Sequence, residues 1–168
     1  SKYWSSKSKF ERQLLLIALL LPTHVLFADA LSQLPEHWQN QLTEVAEPEL
    51  SALEEIAHEA VTSTRTELNQ LLSKPGASKA ALAEAYGRMG ALYQVYNVSI
   101  PAETCYTNAR SLAPSIFRWA YYAAWLAQQT GRPSIALQHF KEAQKLQPDY
   151  APLALRIAQS QLDLGQLE

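Results

Sequence analysis

The sequence predicts an all-α fold, a helix–turn–helix solenoid of about two and a half repeats that follows a long amphipathic helix. Only 5 of the 168 residues are glycine, whereas alanine and leucine dominate, which favours helices over sheets. Between residues 50 and 72, apolar side chains recur at steps of three and four positions, as they do on one face of a helix. Beyond residue 81, residues of the same type return every 34 positions, which indicates a structural repeat.

Residues 1–30 are predicted to form a secretory signal peptide or, if uncleaved, an N-terminal membrane anchor. A polar, net basic segment precedes an unbroken apolar run at residues 14–21, and an Ala-x-Ala cleavage pattern follows at residues 28–30. The apolar stretch, residues 14–28, is shorter than the about 20 residues that a membrane-spanning helix needs. We therefore expect a periplasmic or secreted domain that touches a membrane only through this segment, as an inner-membrane anchor if it is not removed.

Three further segments follow in order. Residues 31–47 are mixed and polar, and they are predicted to be a linker or a short helix. A leading helix is predicted over residues 48–73, because Pro48 and a cluster of acidic residues stand at its start, where the helix dipole favours negative charge. The Pro-Gly pair at residues 75–76 ends it, and the repeat domain is predicted over residues 79–168.

Within that domain, repeats are predicted at about residues 81–114 and 115–148, with a partial repeat at residues 149–168. In the first helix of each repeat, a small residue stands where close approach of two helices requires one: Gly90, Ala124 and Ala158. The pairs related by the same 34-residue interval are Ala102 with Ala136, Tyr106 with Phe140, Ala109 with Ala143, Leu112 with Leu146, Pro114 with Pro148, and Gly131 with Gly165.

These residues resemble the tetratricopeptide repeat family, in its exported bacterial type, whose unit is a helix–turn–helix of 34 residues. The resemblance covers about half of the chain, from residue 81 onward. Asn97 stands where the turn glycine is common, and asparagine tolerates the left-handed backbone almost as well. The second repeat departs further, since its first helix carries alanine at all the aligned core positions. The resemblance implies a scaffold whose first helices line a concave groove for an extended peptide.

The candidate binding surface is a stripe on the first helix of the second repeat, together with the equivalent positions of the other two repeats. The predicted partner-binding residues are Arg118, Tyr121, Trp125, Gln128, Glu84, Gln94, Leu155 and Gln159. The competing interpretation is that the aromatic residues replace core volume missing from an alanine-rich helix, since aromatic stripes at helical spacing are usually core. Gly87 and Ala91 occupy the groove positions at which repeats that clamp acidic chaperone C-termini need Lys and Asn, so that sub-type is not expected.

No motif in the sequence points to catalysis. Cys105 is the only cysteine, so it is expected to be a packed apolar side chain, and the four histidines lack metal-ligand spacing. We therefore expect no enzyme activity, no cofactor and no metal. Lys and Arg total 14 against 16 Asp and Glu without a basic cluster, so no nucleic-acid partner is expected.

The expected function is that of an interaction adaptor that binds a protein or peptide partner on the concave face. Two alternatives remain. The chain could be a structural or assembly subunit that acts by helix stacking, or an accessory domain of a longer exported enzyme.

Overall fold

The computed structural model describes residues 40, 42–51 and 53–166, and within these ranges every regular element is a helix. The all-α prediction is therefore confirmed. The predicted signal peptide or anchor, and most of the predicted linker, lie outside the described residues. Among the described helices, none is long and apolar enough to cross a membrane. The helices are α1 (Glu55–Leu72), α2 (Lys79–Val95), α3 (Ser99–Leu112), α4 (Phe117–Gln129), α5 (Pro133–Leu146) and α6 (Pro152–Asp163).

Each helix packs against the next one along the chain, and α2 also touches α4. The first helices of the first two repeats therefore lie side by side, which is the stacking expected of a helical solenoid. The contact between α2 and α4 brings together the helix faces that were predicted to line the groove.

The 34-residue period is visible in the backbone of the turns. Asn97, Gly131 and Gly165 all have positive φ, at 60°, 69° and 66°. The residue after each of them donates its N–H to a carbonyl five positions back, at 2.8 Å, 2.9 Å and 2.8 Å. This is the Schellman arrangement, in which a left-handed residue ends a helix and satisfies its last carbonyls. Asn97 thus takes the place of the turn glycine, as predicted.

In the part of the chain that the structure describes, the buried side chains form two clusters, one around Tyr106 of α3 and one around Phe140 of α5. Gly90 lies where α2 crosses α3, and a Cβ atom added to it would stand 2.9 Å from Cδ1 of Tyr106 and 3.1 Å from Cβ of Cys105. The predicted close approach is therefore confirmed at Gly90, whereas Ala158 of α6 is exposed. In the second repeat Ala124 takes the position of Gly90, fully buried in the same cluster as Phe140.

The leading helix was predicted from residue 48, but α1 begins at Glu55. Residues 42–50 are not helical, and Leu42, Val45 and Leu50 contact the first core cluster from this irregular segment. The spacing of three between Leu50 and Leu53 therefore does not belong to a helix face. α1 ends at Leu72, and α2 begins at Lys79.

Candidate partner-binding groove

A cavity of about 420 Å³ lies between the C-terminal halves of α2 and α4, and we call it the α2–α4 cavity. It reaches solvent, because Val95, Asn97 and Gln129 on its rim are exposed. Aromatic rings from α3 and α4 face amide side chains from α2, the following turn and the end of α4. The lining residues are Ala91, Gln94, Val95, Asn97, Tyr106, Tyr122, Trp125 and Gln129.

A chain of hydrogen bonds crosses this cavity from α3 to α4. The Tyr106 hydroxyl donates to Oε1 of Gln94 at 2.7 Å, and Nε2 of Gln94 donates to Oε1 of Gln129 at 2.6 Å. The Tyr106 ring is buried in the core while its hydroxyl reaches the cavity. Gln129 is exposed and makes no other side-chain hydrogen bond with the described residues, so its amide retains donors and acceptors for a ligand.

Trp125 is the aromatic residue of the cavity with the largest exposure, at 37% of its surface. On α6, the guanidinium carbon of Arg156 lies 5.6 Å from the centroid of its ring, within the range of a cation–π interaction. Arg156 forms no ion pair with any carboxylate of the described residues. Trp125 therefore lies between the cavity and a guanidinium group that has no carboxylate partner among the described residues.

Arg118 and Glu84 form an ion pair that joins α4 to α2, and both side chains are about half exposed. The Arg118 guanidinium carbon also lies 4.2 Å from the centroid of the Trp119 ring. Neither residue lines the cavity. Arg118 lies about two helical turns before Trp125, about 10 Å along the axis of α4, and Glu84 is its ion-pair partner there. These two predicted groove residues therefore connect neighbouring repeats at the opposite end of the groove.

Tyr121, a predicted groove residue, is partly buried and packs against the second core cluster instead of lining the cavity. Its ring centroid lies 5.6 Å from Phe117, 5.8 Å from Phe140 and 5.5 Å from Tyr150. These ring contacts agree with the interpretation of Tyr121 as a residue that adds volume beside the alanines of α4. Tyr122 lines the cavity and is itself partly buried against the first core cluster, with its ring 6.0 Å from that of Tyr106.

At the end of α4, the cavity is lined by Gln129 and not by the predicted Gln128. The Gln128 side chain is partly buried, and its Oε1 atom is buried without a hydrogen-bond partner among the described residues. On α6, Gln159 is exposed but donates to Oδ1 of Asp163 at 2.8 Å, and Leu155 is 71% exposed outside the cavity. Neither of these two predicted residues lines the cavity.

Gly87 is not a groove position, because Trp119 covers it. A Cβ atom added there would lie 2.2 Å from two ring carbons of Trp119, which is itself buried. Of the residues predicted for the groove, Gln94 and Trp125 line the cavity, together with Ala91. Sequence reasoning missed Tyr122 and Gln129, although they stand three positions before and four positions after Trp125, which is equally compatible with one helix face.

Cys105 is fully buried beside the α2–α3 crossing, as predicted for a packed apolar side chain. Burial raises the pKa of its thiol to about 12, so the group remains protonated at neutral pH. Within the described ranges, no group of three or more His, Cys, Asp and Glu side chains is arranged to hold a metal ion.

No protein-family model and no curated protein matches this chain.

Proposed function

We propose that this chain is a non-enzymatic interaction adaptor of the tetratricopeptide type that acts outside the cytoplasm. Its ligand would be an extended segment of a partner protein, bound in the groove between α2 and α4. The observation that carries the proposal is the α2–α4 cavity, with the part-exposed indole of Trp125 on its wall. Tryptophan and tyrosine are among the residues that most often dominate the energetics of binding surfaces.

The chemistry of the cavity favours an uncharged peptide segment. Among the described residues, those that line it include no carboxylate, lysine or arginine. Gln94 and Gln129 offer amides, which can donate to a peptide carbonyl and accept from a peptide N–H. At about 420 Å³ the cavity is within the usual range of small-ligand sites, about 300–1,000 Å³, and has room for a large apolar side chain with its backbone.

Arg156 adds a directional preference to this proposal. Its guanidinium lies beside Trp125 without a carboxylate partner among the described residues. A ligand that placed an aromatic or proline side chain in the cavity and an acidic residue next to it would pair with this charge. We therefore expect motifs in which an acidic residue lies beside an aromatic residue or proline.

The experiment is selection of peptides from a random library displayed on phage, followed by affinity measurement on the purified chain. Peptides selected by the wild type should bind the Trp125→Ala and Gln129→Ala variants roughly tenfold or more weakly, a loss of about 1.4 kcal/mol each. The matched control is Leu155→Ala, which removes an exposed side chain outside the cavity and should change affinity by less than about twofold. Equal binding to the wild type and to Trp125→Ala would refute the proposed site.

A second function is favoured by one observation on α6. Leu155 and Leu162 of this helix are 71% and 55% exposed, which leaves an apolar surface at that end of the solenoid. Such a surface suits an assembly subunit that acts by helix stacking. The Leu155→Asp and Leu162→Asp double variant should abolish partner association in that case, whereas it should leave binding of the selected peptides unchanged in the adaptor case.

A further inference from the structure

Residues 42–47, which we call the strap, cross the surface of the first repeat in an irregular conformation and contact both α1 and α3. Asn108 of α3 holds the strap by its backbone. The N–H of Thr43 donates to Oδ1 of Asn108 at 2.8 Å, and Nδ2 of Asn108 donates to the carbonyl of Thr43 at 2.7 Å. The side chain of Asn108 is thus paired with both backbone groups of one residue, and Asn108 is fully buried.

A second anchor comes from α1. Nη2 of Arg65 donates to the carbonyl of Val45 at 3.3 Å, and the same guanidinium lies 3.9 Å from Oε1 of Glu47. Its Nη1 atom donates to the hydroxyl of Tyr93 at 2.9 Å, which fixes the orientation of the guanidinium. Arg65 therefore donates to one backbone carbonyl of the strap and lies within ion-pair distance of one of its carboxylates.

Two side chains of the strap pack on the first core cluster, and its other side chains face solvent. Leu42 is buried and Val45 is partly buried against the first core cluster, whereas Thr43, Glu44, Ala46 and Glu47 are exposed. The helices thus contact this extended segment through its backbone, through the apolar side chains of Leu42 and Val45, and through the carboxylate of Glu47. Peptide-binding sites use the same division, in which main-chain hydrogen bonds give affinity and side-chain pockets give specificity.

We infer that the surface formed by Asn108, Arg65 and the adjoining core is an extended-peptide site, and that the strap is the ligand it holds in cis. The ligand class is a segment with the pattern of residues 42–47: two apolar residues separated by two positions, then an acid two positions later. Any segment of this pattern can compete for the site, because Asn108 reads only the backbone. Neither Asn108 nor Arg65 lines the α2–α4 cavity, so the inference stands even if the proposed function fails.

The test uses the full chain with the strap released by Leu42→Ser and Val45→Ser. Far-UV circular dichroism first establishes that the helices are retained. The probe is a fluorescent synthetic peptide of residues 40–50, and its binding is followed by anisotropy. The peptide should bind the released variant saturably and the wild type roughly tenfold or more weakly, because a covalently attached strap competes at an effective concentration of about 1 mM.

A matched peptide isolates the backbone contact. Methylation of the Thr43 backbone nitrogen removes the donor to Asn108 and leaves every side chain in place. The methylated peptide should bind roughly tenfold or more weakly, as expected when a buried acceptor loses its donor. The proposal would be overturned if the methylated peptide bound as well as the plain one, if the folded released variant bound neither, or if the wild type bound as well as the released variant.

If the released variant loses its helices, hydrogen exchange of the wild-type chain tests the inference instead. We expect the Thr43 amide to be protected but to exchange at least about tenfold faster than the Ala109 amide of the α3 core, because the strap opens locally. If both amides exchanged at the same rate, the strap would open only together with the core and would not be a separable ligand. Absence of protection at Thr43 would mean that the contact with Asn108 does not persist. Either outcome refutes the inference.

Discussion

Replacing Gly87 with alanine is expected to destabilise the protein, although alanine is the better helix former. In the interior of an exposed helix, this change gains about 1 kcal/mol. Gly87 is buried, however, and the new Cβ would stand 2.2 Å from two ring carbons of Trp119 and 2.7 Å from a third. Carbon atoms prefer a separation of about 3.5–4.0 Å, so the ring would have to move by more than about 1 Å.

Trp119 has little freedom to move, since it is only 3% exposed within the first core cluster. Overpacking of this kind costs about 1–3 kcal/mol, and the steric term here exceeds the gain in helix propensity. We expect Gly87→Ala to lower the free energy of unfolding by about 1–2 kcal/mol. Urea denaturation followed by circular dichroism at 222 nm measures this difference.

Two comparisons show whether the clash is the cause. Gly90→Ala places its Cβ 2.9 Å from the ring of Tyr106, a milder overlap, and should cost less than Gly87→Ala. Trp119→Phe removes the ring carbons that the new methyl group meets, so it should recover part of the loss when combined with Gly87→Ala. Stabilisation by Gly87→Ala, or strict additivity of the two changes, would contradict the packing of α4 against α2 described above.

Three further predictions concern other parts of the molecule. Asn97→Val should lower the free energy of unfolding by about 1–2 kcal/mol, because a β-branched residue does not tolerate φ of 60°, whereas Asn97→Gly should stay within about 0.5 kcal/mol in thermal or urea melts. Burial, reinforced by the charge of Arg110, lowers the pKa of His139 below its usual range. The neutral imidazole therefore stabilises the fold above about pH 6.5, and this contribution is lost as pH falls through the lowered pKa; His139→Gln should flatten that part of the stability profile. Cys105 should resist a thiol reagent at pH 8 in the folded protein and react at once in denaturant, because burial raises its pKa to about 12.

The repeat was predictable from the sequence because its signals are local. Left-handed residues at 97, 131 and 165 and the buried aromatic residues Tyr106 and Phe140 occur at one interval, and each has a geometric reason for its identity. The face of α4 was predictable only to within one position. Successive residues of a helix differ in direction by about 100°, and the choice between Tyr121 and Tyr122 depends on what α5 and α6 offer as neighbours. Phe140 and Tyr150 contact the ring of Tyr121, which packs against the second core cluster.

The strap could not have been predicted. Its principal contact joins Thr43 to Asn108, 65 positions later, through the backbone of one and the side chain of the other. Neither hydrophobic periodicity nor composition reports such a bond. The apolar residues at 50 and 53 continue the spacing of α1, so the pattern favoured a helix where the chain is irregular.

The central claim is that the α2–α4 cavity is the site of peptide binding, and the indole signals of Trp125 and Trp119 test it most directly. Both side chains belong to α4, but Trp125 lines the cavity whereas Trp119 is buried against Gly87. In a ¹H–¹⁵N correlation spectrum titrated with a selected peptide, the Nε1–H signal of Trp125 should shift progressively while that of Trp119 stays in place. Saturable binding with the Trp125 signal unmoved and amide shifts confined to α6 would contradict the account.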